Sequence, residues 1–257
     1  MKIPFKQIYV SGCSHTAGGG LMEIREWYAS RGILYEKASE VTYPSILSDT
    51  FDIPIIDTSM YGSSALKTIR ESYEYIEKNG LEEARNTLFI LQFNESPLRF
   101  VGWSNFLSDY FNLQIKLDNN NNPVGYMIDK WVKENIWTDE IHKKNDSMAP
   151  MIVNNLYNHD EYLKEIKRAI IGFLSYLNIN KINHIFTCEN LNNEDIGDVL
   201  CLHRFFANGE NSIYKYALRR KLTIAHITGI SKDGHPSVEA HREYANELIK
   251  YINKKYS

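Results

Sequence analysis

Short apolar runs alternating with stretches of helical periodicity constrain this chain most. The runs fall at residues 6–11, 53–57, 86–92, 182–187 and 222–227. The third contains Leu88-Phe89-Ile90-Leu91, a continuous apolar stretch of the kind found in a parallel strand covered on both faces. Helical patterning occupies 22–31, 43–48, 65–78, 160–178, 213–219 and 238–254. Strands that alternate with helices predict a mostly parallel sheet with helices on both faces. The fold class read from this order is α/β, a three-layer α/β/α arrangement around a five-stranded, mostly parallel sheet.

Local signals sharpen the order. Pro54 places the second strand at a sheet edge or makes it a strand start. Pro44 sits in the first turn of its helix, and Ser63 or Ser64 is positioned to cap the helix that follows. Leu66, Ile69, Tyr73 and Ile76 share one helical face. So do Tyr162, Ile166, Ala169, Ile170, Phe173, Leu174 and Leu177. Residues from about 97 to 157 lack clear periodicity and hold Trp103, Trp131, Trp137 and the run Asp118-Asn119-Asn120-Asn121-Asn122. That run reads as a solvated turn or hairpin tip. The stretch reads as an irregular insertion in a single domain spanning 1–257. Its aromatics suit either a substrate wall or ordinary packing. Residues 190–207 are ambiguous.

Composition excludes several classes. Of 257 residues, 43% are apolar and 24% charged, as in a folded globular protein. A net charge of -3 argues against a general nucleic-acid binder. No apolar run reaches membrane-span length, and the N-terminus lacks the apolar core of a signal peptide. Three cysteines, Cys13, Cys188 and Cys201, make no disulfide framework. Reduced thiols and a cytoplasmic location are expected.

Chemistry concentrates where strands end. The first strand opens into Ser11-Gly12-Cys13-Ser14-His15-Thr16, whose glycine allows a tight turn that lifts Ser14 from the sheet. Ser-Gly after a strand also serves as a plain turn. Ala17-Gly18-Gly19-Gly20 reads as a mobile loop, since it has neither the P-loop nor the dinucleotide pattern. The third strand opens into Phe93-Asn94-Glu95-Ser96-Pro97. Near the far end stands Asp233-Gly234-His235-Pro236-Ser237, before the last helix. A serine after the first strand and an Asp/His pair before the last helix are the parts of a hydrolytic triad.

The whole order is strand, Gly-Cys-Ser, helix, strand, Asp-x-Ser-x-x-Gly-x-Ser, helix, strand, Gln-Phe-Asn-Glu, insertion, helix, strand, helix, strand, Asp-Gly-His-Pro-Ser, helix. It resembles the SGNH (GDSL-like) hydrolase superfamily over nearly all of the chain outside 97–157. The resemblance implies a flavodoxin-like fold with Ser14 as nucleophile, His235 as general base and Asp233 as its orienting acid. Gly62 and Asn94 would join the Ser14 N–H in an oxyanion hole. Cys13 stands where the family has Asp, and Asp233 lies two residues before His235 instead of three. The expected activity is hydrolysis of acyl esters, O-acetyl groups above all, on a small molecule or carbohydrate, with no cofactor. Two alternatives stand beside it. One is acyl transfer to a sugar hydroxyl. The other is a glycan-binding or structural protein, of a phage or surface-polysaccharide pathway, that has lost turnover.

Neighbouring residues have competing readings. His15 suits substrate contact, a cap or the surface. Arg99 suits a substrate carboxylate or phosphate, or a surface ion pair. Cys13 suits a buried inert thiol more than a nucleophile. Cys188, Glu189, Cys201 and His203 match no recognised zinc spacing, so no metal is expected. His241, one helical turn past the loop, is expected to be exposed. The sequence leaves the oligomeric state open.

Overall fold

The computed structural model describes residues 3–60, 63–94, 99–104, 109–117, 123–128, 159–188, 212–229 and 232–256. A parallel sheet is built from β1 (Gln7–Ser11), β2 (Ile55–Asp57), β3 (Thr87–Phe93) and, later in the chain, a strand at His184–Cys188. Three strands intervene in sequence: β4 (Arg99–Ser104), β5 (Asp109–Leu117) and β6 (Pro123–Ile128), which makes His184–Cys188 β7. The parallel order is β2-β1-β3-β7. Pro54 precedes the edge strand β2, as its missing N–H requires, and its carbonyl accepts a bond from the Ile8 N–H at 3.0 Å. The apolar run of β3 pairs on both sides and is buried along its whole length.

Side chains alternate across a strand, and this divides the core. Tyr9, Phe89, Leu91 and Phe186 point to one face. There they meet Ile69 and Ile76 of α4 (Ala65–Arg85) and Ile166, Ile170, Phe173 and Leu174 of α5 (His159–Ile179). Ile8, Val10, Leu88, Ile90 and Ile185 point to the other face. They pack on Leu47 of α3 (Tyr43–Phe51), Ile213 of α6 (Ile213–Arg220), and Tyr244, Leu248 and Ile252 of α8 (Val238–Tyr256). The three layers thus follow from period-two alternation in two adjacent strands.

The fifth strand expected at 222–227 is instead α7 (Ile224–Thr228), so the parallel sheet has four strands among the described residues. Six residues of apolar run do not separate strand from helix. Here the ends decide: the Thr223 hydroxyl accepts from the His226 N–H, and Gly229 closes the turn in the left-handed region. Within 97–157, expected as an irregular insertion, β4, β5 and β6 form an antiparallel sheet in that order, and Phe111 to Leu117 alternates at the strand period. The Asn-rich run read as a turn or hairpin tip lies outside the described residues.

Candidate active site

Register brings the candidate residues to one edge. Ser11 pairs with Leu91, and Ser14 and Asn94 each lie three residues further on. Both therefore leave the sheet at its C-terminal edge, where open α/β sheets carry their sites. Asn94 is buried, and its carbonyl accepts the Ala65 N–H at 2.9 Å, tying the start of α4 to the end of β3. The Ser64 hydroxyl caps the same helix by accepting from Lys67 N–H. Ser14 opens α1 (Ser14–Ala17), a single turn closed by Gly18 in the left-handed region.

The far loop closes onto this turn. His235 Nε2 lies 3.0 Å from Ser14 Oγ, and His235 Nδ1 lies 2.5 Å from Asp233 Oδ1. That same carboxylate oxygen accepts the His235 backbone N–H at 2.9 Å. Across the two-residue spacing the Asp233 carboxylate folds back over its own turn and stays within hydrogen-bond distance of the imidazole. About a third of each side chain is exposed, 28% for Asp233 and 31% for His235, so the pair opens to solvent.

Misread as a strand, α7 has a role in this closure. The first N–H groups of a helix have no partner within it. In α7 the Ile224 N–H donates to the His235 carbonyl and the Ala225 N–H to the Asp233 carbonyl, each at 2.8 Å. The loop carrying Asp233 and His235 is thereby clamped to a helix start. On its other side Ser237 caps α8, accepting the Ala240 N–H on its hydroxyl at 3.2 Å and the His241 N–H on its carbonyl at 3.1 Å. The buried Tyr28 hydroxyl accepts from Val238 N–H at 3.1 Å and donates to Glu239 at 2.8 Å. Burial first, and then the Glu239 carboxylate, push that phenol well above its ordinary range.

Around the Ser14 turn lies a polar chain that the sequence reading did not single out. Thr16 Oγ1 donates to Gln92 Oε1 at 2.8 Å, and Gln92 Nε2 donates to Cys13 Sγ at 3.5 Å. His15 Nδ1 lies 3.5 Å from the same sulfur. Cys13 is fully buried. The His15 ring stacks on Tyr214 with centroids 4.5 Å apart and planes 7° apart, and stands 5.1 Å from the His235 ring. Tyr214 carried no sequence signal of its own; only the fold brings α6 beside α1. The signal for Gln92 was a lone polar residue ending an apolar strand.

His241, expected to be exposed, is fully buried. The reason is helical: His241 shares the apolar stripe of Tyr244, Ala245, Leu248 and Ile252. Its Nδ1 accepts the Tyr43 N–H at 3.2 Å. Burial, with the nearby His15 adding in the same direction, pushes its pKa down to about 3.

The glycine run read as a mobile loop is packed. Gly18 and Gly19 are buried, and Gly19 N–H donates to the Ser14 carbonyl at 2.7 Å. Gly62 lies outside the described residues, as do Glu189, Cys201, His203 and the 190–207 stretch. Arg99 is placed in β4 by its backbone, paired with Gln114, and its side chain is outside the described residues. Among the described residues no three His, Cys, Asp or Glu side chains gather as metal ligands, and no helix is long and apolar enough to cross a membrane.

No family model matches the sequence, and no curated protein matches it. Solved structures to which the chain is similar include the psychrotrophic esterase EstA from Pseudoalteromonas sp.. The identity there is 12%, with 97% of each chain covered and a TM-score of 0.47. Another is the acetyl xylan esterase Est2A from the rumen bacterium Butyrivibrio proteoclasticus, at 12% identity and a TM-score of 0.45, covering 99% of this chain and 65% of that one. A protein of the lipolytic G-D-S-L family from Desulfitobacterium hafniense matches at 10% identity and a TM-score of 0.36, covering 95% of this chain and 98% of that one.

Proposed function

We propose that this chain is a serine ester hydrolase of the SGNH (GDSL-like) type. The observation that carries the reading is the relay from Ser14 Oγ to His235 Nε2 at 3.0 Å and from His235 Nδ1 to Asp233 at 2.5 Å. A serine hydroxyl is a weak nucleophile near neutral pH until a base takes its proton. In the proposed cycle His235 Nε2 removes the Ser14 proton as Oγ attacks the ester carbonyl. Asp233 holds the proton of Nδ1 and stabilises the imidazolium that forms. The tetrahedral oxyanion collects hydrogen bonds from the Ser14 N–H and Asn94, with Gly62 as the third donor that the sequence resemblance supplies. His235 then gives its proton to the leaving alkoxide. Water, activated by the same imidazole, attacks the acyl-Ser14 ester and releases the acid.

The substrate class, an O-acetyl ester of a small molecule or carbohydrate, rests on the sequence's resemblance to the SGNH superfamily, whose members often act on such esters. The stacking of His15 on Tyr214, with its ring 5.1 Å from that of His235, supports a role for His15 in shaping the substrate pocket. The test is steady-state hydrolysis of 4-nitrophenyl acetate by the wild type, Ser14→Ala and His235→Ala. The expected result is turnover by the wild type and a loss of roughly 10⁶-fold in kcat for either variant, as triad members act as a unit. Full activity in folded Ser14→Ala contradicts the reading.

A further inference from the structure

The three glycines that follow the nucleophile meet different neighbours. Gly18 has φ 79°, and a Cβ there would press on Thr42, Ala38 and Leu21, at 2.8 to 3.1 Å. These are packing contacts away from the acid-base pair. Gly19 faces His235: a Cβ would stand 2.7 Å from its Cδ2 and 2.8 Å from its Nε2. Gly20 has φ 76°, and a Cβ there would overlap Asp233 Oδ2. The imidazole and the carboxylate therefore rest on bare backbone, in the space that side chains would fill.

The short Asp233-Gly234-His235 spacing makes this seat necessary. Asp233 Oδ1 is committed to the backbone and ring N–H groups of His235. A carboxylate is rigid and planar, so fixing Oδ1 also fixes Oδ2, which lands over Gly20. A side chain at 20 would push the carboxylate off the imidazole. A side chain at 19 would push the imidazole off Ser14. We propose that Gly19 and Gly20 are positioning residues that let an acid only two residues before the base complete the relay. This rests on the assignment of Ser14, His235 and Asp233 given above. It adds that the glycine run and the shortened spacing are two halves of one device.

The test compares Gly20→Ala with Gly18→Ala, each alone and in an Asp233→Ala background. Both replace a left-handed glycine, so both carry backbone strain; only one touches the carboxylate. Three quantities are read: kcat and KM on 4-nitrophenyl acetate, the downfield NMR resonance of the His235 Nδ1 proton, and Tm. Gly20→Ala is expected to lose roughly 100-fold in kcat, the scale of an ångström misplacement, with KM nearly unchanged and the resonance lost. Gly18→Ala lowers Tm and keeps the resonance. In the Asp233→Ala background, Gly20→Ala costs no further turnover, because its target is gone. Equal kcat losses in both backgrounds, or a retained resonance in Gly20→Ala, overturn the proposal. Should Gly20→Ala fail to fold, Gly19→Ala decides, since its backbone is not left-handed; unchanged kcat there also overturns the proposal. The resonance reads the seat whether or not esters turn over, so a failure of the esterase reading shows separately, as an inactive wild type with an intact Nδ1 proton.

Discussion

Asp233 holds His235 through a single oxygen that takes both the backbone and the ring N–H. One bond fixes where the residue sits, and the other fixes which ring nitrogen carries the proton. In Asp233→Asn the amide can present an N–H toward Nδ1, which reverses the tautomer and removes the base from Ser14. The expected loss is roughly 10⁴-fold in kcat, with the loop still in place. A Ser-His dyad would lose far less, so the same assay separates the two mechanisms. Asn94→Ala removes an amide that the account gives to the oxyanion, and a loss of about 100-fold or more in kcat with little change in KM is expected. At this scale the sequence singled out Ser14, His235, Asp233 and Asn94 by their fixed offsets from strand or helix ends, and the structure brings Ser14, His235 and Asp233 within hydrogen-bond distance of one another. The sequence was not legible for Gly19 and Gly20, since a glycine tells of conformational freedom and not of which group approaches the bare backbone. Nor was it legible for Tyr214, which touches His15 only after distant elements pack.

Among the elements, the start of α8 matters most, since it begins three residues after His235. Tyr28 anchors it by bonding both Val238 and Glu239. Tyr28→Phe leaves the Val238 N–H without that acceptor, and a stability loss of about 1–3 kcal/mol is expected in chemical denaturation. Unchanged stability would mean that water replaces the phenol there. α7 shows how sequence and structure part company. The residues at 222–227 are apolar enough for a strand, but Thr223 and Gly229 are strong end signals for a one-turn helix. Its first two N–H groups then hold the loop carrying Asp233 and His235.

Across the whole molecule, the parallel sheet was readable because continuous apolar runs such as Leu88-Phe89-Ile90-Leu91 alternate with helical stretches, and those runs bury side chains on both faces. The antiparallel strands β4 to β6 were missed although Phe111 to Leu117 alternates at the strand period; the flanking strands are short and interrupted by Gly102 and Gly125. Global stability should also carry the mark of His241. Its folded pKa of about 3 lies below the ordinary value of 6.5, so the unfolded chain binds the extra proton. Stability is therefore full above pH 6.5 and falls as pH drops from there toward 3, at up to roughly 1.4 kcal/mol per pH unit. His241→Asn, whose Oδ1 can accept the Tyr43 N–H in place of Nδ1, is expected to flatten the acid limb of a Tm-against-pH profile. An unchanged limb would show that other groups set the acid sensitivity.

Activation of Ser14 by His235 is tested by labelling with a fluorophosphonate, read by intact mass, on the wild type beside Ser14→Ala and His235→Ala. The expected result is one adduct on the wild type, mapped to Ser14, and none on either folded variant. No adduct on folded wild type, or an adduct that persists in Ser14→Ala, contradicts it.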